Sequence, residues 1–590
     1  MKKTFFISFF AVIASLVSAQ SDIGLDYFAL GEYDAAKRYF EKQINQSPAQ
    51  ANYYLGEIAF IQGKPDEAKA YYQKGLAADP NDLYNQIGEA KLLLKSDLKS
   101  AENLFKAIQN KSKKDPLVIL AIGRAYFDSG ILDKAQAKAD EARKRNKAVP
   151  QIYIFEGDLI EARNGGDKQK ILGDVAGKYE MAIHFDGNYR IGYIKAAQAY
   201  ALFNPQTAIE KLKDIIELQP DYLLAHRQLG QVSTQIGHYN QAIQSYKRYM
   251  AAGEYSLDDL KYYVRVLYFS DLYEDAQKTV NEGLALAPND FVLNRLQMYI
   301  YAKTKNTEKG LPLAEKFFNL REDKSTYLAL DYSLYAIILK EAKLYDQALA
   351  AYDKAIEMEA KIEYYTDAVE VGRAKGDYGI SAKYYTEFMN TLGDAVEARE
   401  LNTLGFYYYN AGTLTVKRAD LIEEYQKNPA WINTLAEKGL EKDSLQNSAG
   451  YFARALSVYY LNKADSVFKI LVEKVPDSYS GYRWLALTQH AINSDAKDGA
   501  AKPHYEKVIE VITGRDEHTE ASNKVLIEAY GYLAYHYYLV DNVQSATAYC
   551  NEILKLDPEN KTAIAILDGV KQHEEQLKEY RKQQAAAANK

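Results

Sequence analysis

Apolar residues along this chain recur at helical spacing, in paired stretches broken by glycine and proline. In the stretch 222–255, Leu229-Gly230 falls inside one periodic segment, Gly237 closes it, and Tyr239, Ala242 and Tyr246 share one face of the next. Steps of three and four residues mark one side of an α-helix, and a glycine just past the last periodic residue is a helix stop. Each unit therefore predicts two amphipathic helices joined by a tight turn. The unit recurs: Ala208, Ala242 and Ala276 are 34 residues apart, with Tyr239 and Tyr273 in the same register. Earlier, Gly31-Glu32-Tyr33-Asp34-x-Ala36 with Phe40 and Pro48 is followed by Gly63-Lys64-Pro65-Asp66-x-Ala68 with Tyr72 and Pro80. Small residues such as Gly230 and Ala242 let the two helices of a unit approach closely, and Tyr246 fills the gap toward the neighbouring unit. Pro48, Pro80, Pro220, Pro288 and Pro558 stop the second helix, because proline neither donates a hydrogen bond nor tolerates a helical predecessor.

This pattern resembles the tetratricopeptide repeat. The resemblance is carried by Leu55-Gly56, Gly63, Ala68, Tyr72 and Pro80, by Gly123, Tyr126, Gly130, Ala135 and Ala142, and by Leu229-Gly230, Gly237, Tyr239, Ala242 and Tyr246. Weaker copies continue through Tyr273, Tyr345, Tyr378, Leu404-Gly405, Phe468 and Tyr537, so that it covers nearly all of 21–560. It implies an all-α fold, a right-handed α-α superhelix (a solenoid) of roughly 12–15 helix pairs in two or three segments. Breaks in the period suggest the segments: an N-terminal array over 20–253, a middle array over 254–410, a helical insertion or degenerate repeat over 411–447, and a C-terminal array over 448–560. Residues 561–590 read as a capping helix and tail. A smaller insertion begins at Gly165-Gly166-Asp167, and Gly253 marks a joint.

Composition narrows the function. The formal charge is −7 and the isoelectric point near 5.8, which argues against a nucleic-acid partner. Met1-Lys2-Lys3, the apolar stretch Phe5 to Val17 and Val17-Ser18-Ala19 read as a signal peptide over 1–19, hence as an exported, periplasmic protein that could associate with the outer membrane. No later apolar run is long enough to span a bilayer. The single cysteine, Cys550, excludes an intrachain disulfide and falls on the inward face of a second helix, as a small buried hydrophobe. The 52 tyrosines against 20 phenylalanines are absorbed mostly by the aromatic packing positions of the repeat.

The resemblance also implies a concave groove lined by the first helix of each unit. Carried over residue by residue, its lining includes Tyr53, Arg124, Arg227, Gln231, Thr234, Lys261, Arg265 and Tyr268, and later Arg373, Tyr409, Tyr535 and Tyr538. Arg227, Lys261 and Arg265 read as a local basic patch. A carboxylate clamp of the kind some repeat proteins use would need asparagines where Gln231 and Arg265 stand. The eight histidines show no metal-binding spacing, and no nucleophile elbow or phosphate-binding loop is present, so neither a catalytic site nor a cofactor is expected. The reading is a non-catalytic protein-protein interaction scaffold of the cell envelope that binds partner segments or peptides. The alternatives are a periplasmic chaperone or targeting factor, or a dedicated subunit of an envelope secretion or assembly complex.

Overall fold

The computed structural model describes residues 23–588 except 113, 165–167 and 254; the signal-peptide reading and the Gly165-Gly166-Asp167 insertion lie outside the described residues. The fold is all-α, built of helix hairpins in tandem, with no strand among the described residues. The described residues form two compact units, divided between Pro288 and Asn289. In the first, eight hairpins follow one another, from 23–29 with Tyr33–Gln43 to Leu257–Phe269 with Tyr273–Leu286.

The sequence period has a direct physical origin. Gly56, in the first helix Pro48–Ile61, lies so close to the Tyr72 ring of its partner helix that an added Cβ would come within 2.3 Å of it. Gly88, in the first helix of the next hairpin, meets the same ring at 2.4 Å. Tyr72 is fully buried between them. The arrangement recurs with Gly230 against Tyr246 and Gly405 against Phe468, which explains the Leu-Gly and aromatic positions of the repeat. The turn position is equally regular. Gly63 adopts φ 76°, and the turn closes with Gly63 N–H donating to Phe60 O (3.0 Å) and Lys64 N–H to Ala59 O (2.9 Å). Where the repeat lacks this glycine, Asp271, Lys305, Lys343 and Asp541 take the same left-handed conformation.

In the second unit, the helices Ala398–Leu414 and Ala449–Lys474 pack on one another as a hairpin. The short helices Ala419–Gln426, Pro429–Ala436 and Lys442–Asn447 intervene between them and share with both a small core around Ile422, Ile432, Leu445, Phe452 and Trp431. At the end of the chain, one helix runs from Lys561 through Ala588, past the point where charge replaces apolar residues. Its first turns cover Cys550 and Ile553, which are fully buried.

Candidate functional site

The first helices of the first unit carry two distinct kinds of surface. One is a ladder of ion pairs linking successive hairpins. Lys91, with its side chain fully buried, donates to Glu57 (2.8 Å) and Asp128 (3.1 Å) and sits 4.2 Å from the centre of the Phe60 ring. Tyr72 Oη donates to the other oxygen of Glu57 at 2.7 Å. Burial alone would lower the Lys91 pKa, but the two carboxylates outweigh it and hold the ammonium above the ordinary lysine value. A second rung joins Asp158 to Arg124 and Lys195, each at 2.8 Å. There, too, burial pushes the carboxyl up, and the two cations win and hold it below the usual range.

The other surface is an open groove of about 510 Å³ between the helices Arg190–Tyr200, Leu223–Gln235 and Leu257–Phe269. It is lined by equivalent positions of successive repeats: Gln231 stands 34 residues before Arg265, Gln228 before Tyr262 and Gln235 before Phe269. Leu202 and Phe269 are 60% and 55% exposed along it. Arg265 is exposed over the Tyr262 ring (5.6 Å), and among the described residues no carboxylate lies within ion-pair distance of it. The lining contains no carboxylate, histidine or cysteine; of its two hydroxyl side chains, Thr234 Oγ1 donates to Gly230 O at 2.7 Å, and the other is the Tyr262 phenol. Such a groove offers amide donors and acceptors, one cation, two hydroxyls and exposed apolar surface, the inventory of a binding surface for a polypeptide segment. Among the described residues no cluster of histidine, cysteine or carboxylates could hold a metal ion.

The residues expected to line a groove are distributed over both surfaces. Gln231, Thr234 and Arg265 line the opening. Arg227 is buried, pairs with Glu32 through both terminal nitrogens and lies 3.9 Å from Asp259. Lys261 pairs with Asp258 at 3.0 Å, and Arg124 belongs to the ladder, so these two and Arg227 carry neutralised charge. Tyr53 packs in the core against Tyr54 and Tyr84. Tyr268 is buried between Phe269 and Tyr273, and desolvation pushes its phenol up to about 12. In the second unit the expected residues are spread over three helices, Ile362–Lys375, Ala398–Leu414 and Glu520–Leu539. Arg373 is exposed and paired with Glu370 (2.7 Å), and Tyr409 packs edge-on against Trp484 (5.2 Å). Tyr535 is 47% exposed, while Tyr538 packs toward Gly569 of the C-terminal helix. Sequence reasoning missed Gln228, Gln235, Tyr262 and Phe269. The signal was available as the stripe 228, 231, 235 repeated at 262, 265, 269, an i, i+3, i+7 face that shares Gln231 and Arg265 with the one expected.

With this geometry in place, comparison with known proteins is direct. The tetratricopeptide repeat family matches residues 21–82. A repeat-containing protein of Bacillus subtilis (strain 168), YpiA, is 24% identical over 273 residues, 45% of this chain and 62% of its own length. Residues 21–82 carry tetratricopeptide repeats. Two solved tetratricopeptide repeat proteins are also similar. One is the C-terminal part of a protein from Cytophaga hutchinsonii (22% identity, 52% of this chain and 99% of that chain, TM-score 0.33). The other is from Parabacteroides merdae ATCC 43184 (18% identity, 42% and 94%, TM-score 0.31). Tetratricopeptide repeats serve as scaffolds that bind other proteins or peptides, generally without catalysis. No helix among the described residues is long and apolar enough to cross a membrane.

Proposed function

We propose that this tetratricopeptide protein is a non-catalytic scaffold that holds an extended partner segment in the groove between Arg190–Tyr200 and Leu257–Phe269. The observation that carries the reading is the composition of that lining. Glutamine amides match the donors and acceptors of a peptide backbone, Arg265 offers an unpaired cation to a carboxylate, and Leu202 and Phe269 accept apolar side chains. The leader-like sequence of residues 1–19 supports placing the scaffold in the cell envelope, as a fixed subunit of an assembly rather than a general chaperone, since one narrow groove of fixed polarity favours one partner chemistry.

The test is photo-crosslinking in intact cells from a reactive residue introduced at Gln231, with a second at exposed Lys278 on the second helix of its hairpin as control. One stoichiometric protein adduct from position 231, lost in R265E/F269S and absent from position 278, is the expected result. No protein adduct at 231, or the same adducts from both positions, overturns the groove assignment. A heterogeneous set of adducts from 231 alone overturns the fixed-subunit reading.

A further inference from the structure

Beside the open groove, the inner face of the first unit is already occupied, by the chain itself. Residues 23–29 form a short helix that leads through Gly31 into Tyr33–Gln43, and its side chains reach hairpins far along the sequence. Ile23, Tyr27 and Leu30 pack against the core formed by Tyr193, Ile194 and Leu224. Asp26, almost fully buried, pairs with Arg190 Nε at 2.5 Å, and the Arg190 guanidinium lies 4.8 Å from the centre of the Tyr222 ring. Glu32 takes both terminal nitrogens of Arg227, 195 residues away. Arg227 in turn lies over the Tyr249 ring at 5.7 Å. The receiving face thus has two arginines, each backed by an aromatic ring, and apolar surface beside them.

We propose that residues 23–32 are a ligand held in cis, and that the face presenting Arg190 and Arg227 is a binding site for an acidic amphipathic helix. Two observations converge. The contacts are those of a docked peptide: two carboxylates six residues apart, with apolar residues of the same segment buried beside them. Among the described residues Asp26 is the only carboxylate paired with Arg190, so undocking strips that buried guanidinium of its counter-ion. A desolvated, uncompensated charge is strongly unfavourable, and the face therefore demands an acidic occupant, its own or another's. Tethering gives the cis segment a high effective concentration, so a competing acidic helix binds only when it carries better contacts or when the segment is released.

The full chain carrying D26K/E32K tests this, with a fluorescent synthetic peptide of residues 23–36 as the probe. Release should raise amide exchange across 23–32 and let the variant bind the wild-type peptide at least about tenfold more tightly than the wild-type chain does, since the cis competitor is gone. Adding R190E/R227E to D26K/E32K restores the pairs with reversed sign. It should restore protection of 23–32 and abolish peptide capture, and it guards against a merely unfolded variant. Unchanged exchange in D26K/E32K overturns the proposal, as does equal peptide affinity for that variant and the wild type. Because Gln231 and Arg265 are untouched in every variant, the outcome is independent of partner binding in the open groove.

Discussion

Replacing Lys91 by Met isolates what the buried ladder contributes. The substitution keeps the length and apolar stem of the side chain while deleting the ammonium. It leaves Glu57 and Asp128, whose side chains are 4% and 8% exposed, without the ammonium that pairs them, Asp128 keeping only the more distant attraction of Arg124. Breaking a buried pair by removing one partner costs about 3–5 kcal/mol, against at most about 1 kcal/mol for an exposed pair. The ammonium's contact with the Phe60 ring is lost as well. Because the folded-state pKa of Lys91 is raised, its contribution is fully present below the free lysine pKa and fades only as pH rises through the folded value, so a neutral buffer reads the whole effect. Adding E57Q to K91M removes one of the two stranded charges and should recover roughly half of the loss. Intrinsic fluorescence is unsuited to the assay, since Trp431 and Trp484, the only tryptophans, belong to the second unit. Urea titration by circular dichroism, with hydrogen exchange on peptides within Pro48–Ile61, Leu83–Lys91 and Pro116–Asp128, locates and sizes the change. A loss below about 1 kcal/mol, or a double variant no more stable than K91M, refutes the reasoning and puts this ladder with ordinary surface pairs.

Other outcomes follow from the same geometry. Gly56→Ala should destabilise the first unit by about 1–3 kcal/mol, because Tyr72 has no room to retreat, whereas Gly177→Ala, whose Cβ would meet nothing within 4 Å, should stabilise it by up to about 1 kcal/mol through helix propensity; thermal melts of the pair give opposite signs. Lys343→Gly should raise stability by about 0.5–1 kcal/mol, read as a shift in urea midpoint, since Lys343 holds φ 62°. Asp158 has a depressed folded-state pKa, so its stabilisation is present above the ordinary aspartate pKa and lost as pH falls through the lower folded value. Asp158→Asn should flatten the acid limb of stability measured below about pH 4. Cys550 is buried and its thiol is pushed up to about 11, so at pH 8 it should resist a thiol reagent until urea unfolds its hairpin.

The hairpins were legible because their signals are local. Leu229-Gly230, Gly237 and Ala242-x-x-x-Tyr246 each encode a contact within one hairpin or with the next, and a period of 34 repeats it until it stands out. The same locality limits the reading of the site. Arg227 looked like groove lining because its position on the helix is right, but its partner Glu32 lies 195 residues away and leaves no trace at repeat spacing. Arg124 carries no mark in the sequence that tells a paired cation from a free one, and only the distance to Asp158 does; Lys261 was the legible case, since Asp258 stands three residues before it on the same helix. The face that opens, 228-231-235 and 262-265-269, keeps Gln231 and Arg265 of the expected one and takes the following residue at the positions on either side of them. A single residue is about 100° on a helix, enough to move Tyr262 in and Arg227 out.

Tyr72 belongs to no hairpin alone. Its ring touches Gly56 of its own unit and Gly88 of the following one, so each hairpin lends its neighbour part of the core that the neighbour lacks. Under a stretching force, a hairpin cannot peel away from the array without uncovering an aromatic ring that the next hairpin needs. Extension of such a chain should therefore proceed as a zipper from an end, with each step weakening the one after it, and a partner gripping two adjacent hairpins would arrest the whole sequence at that point.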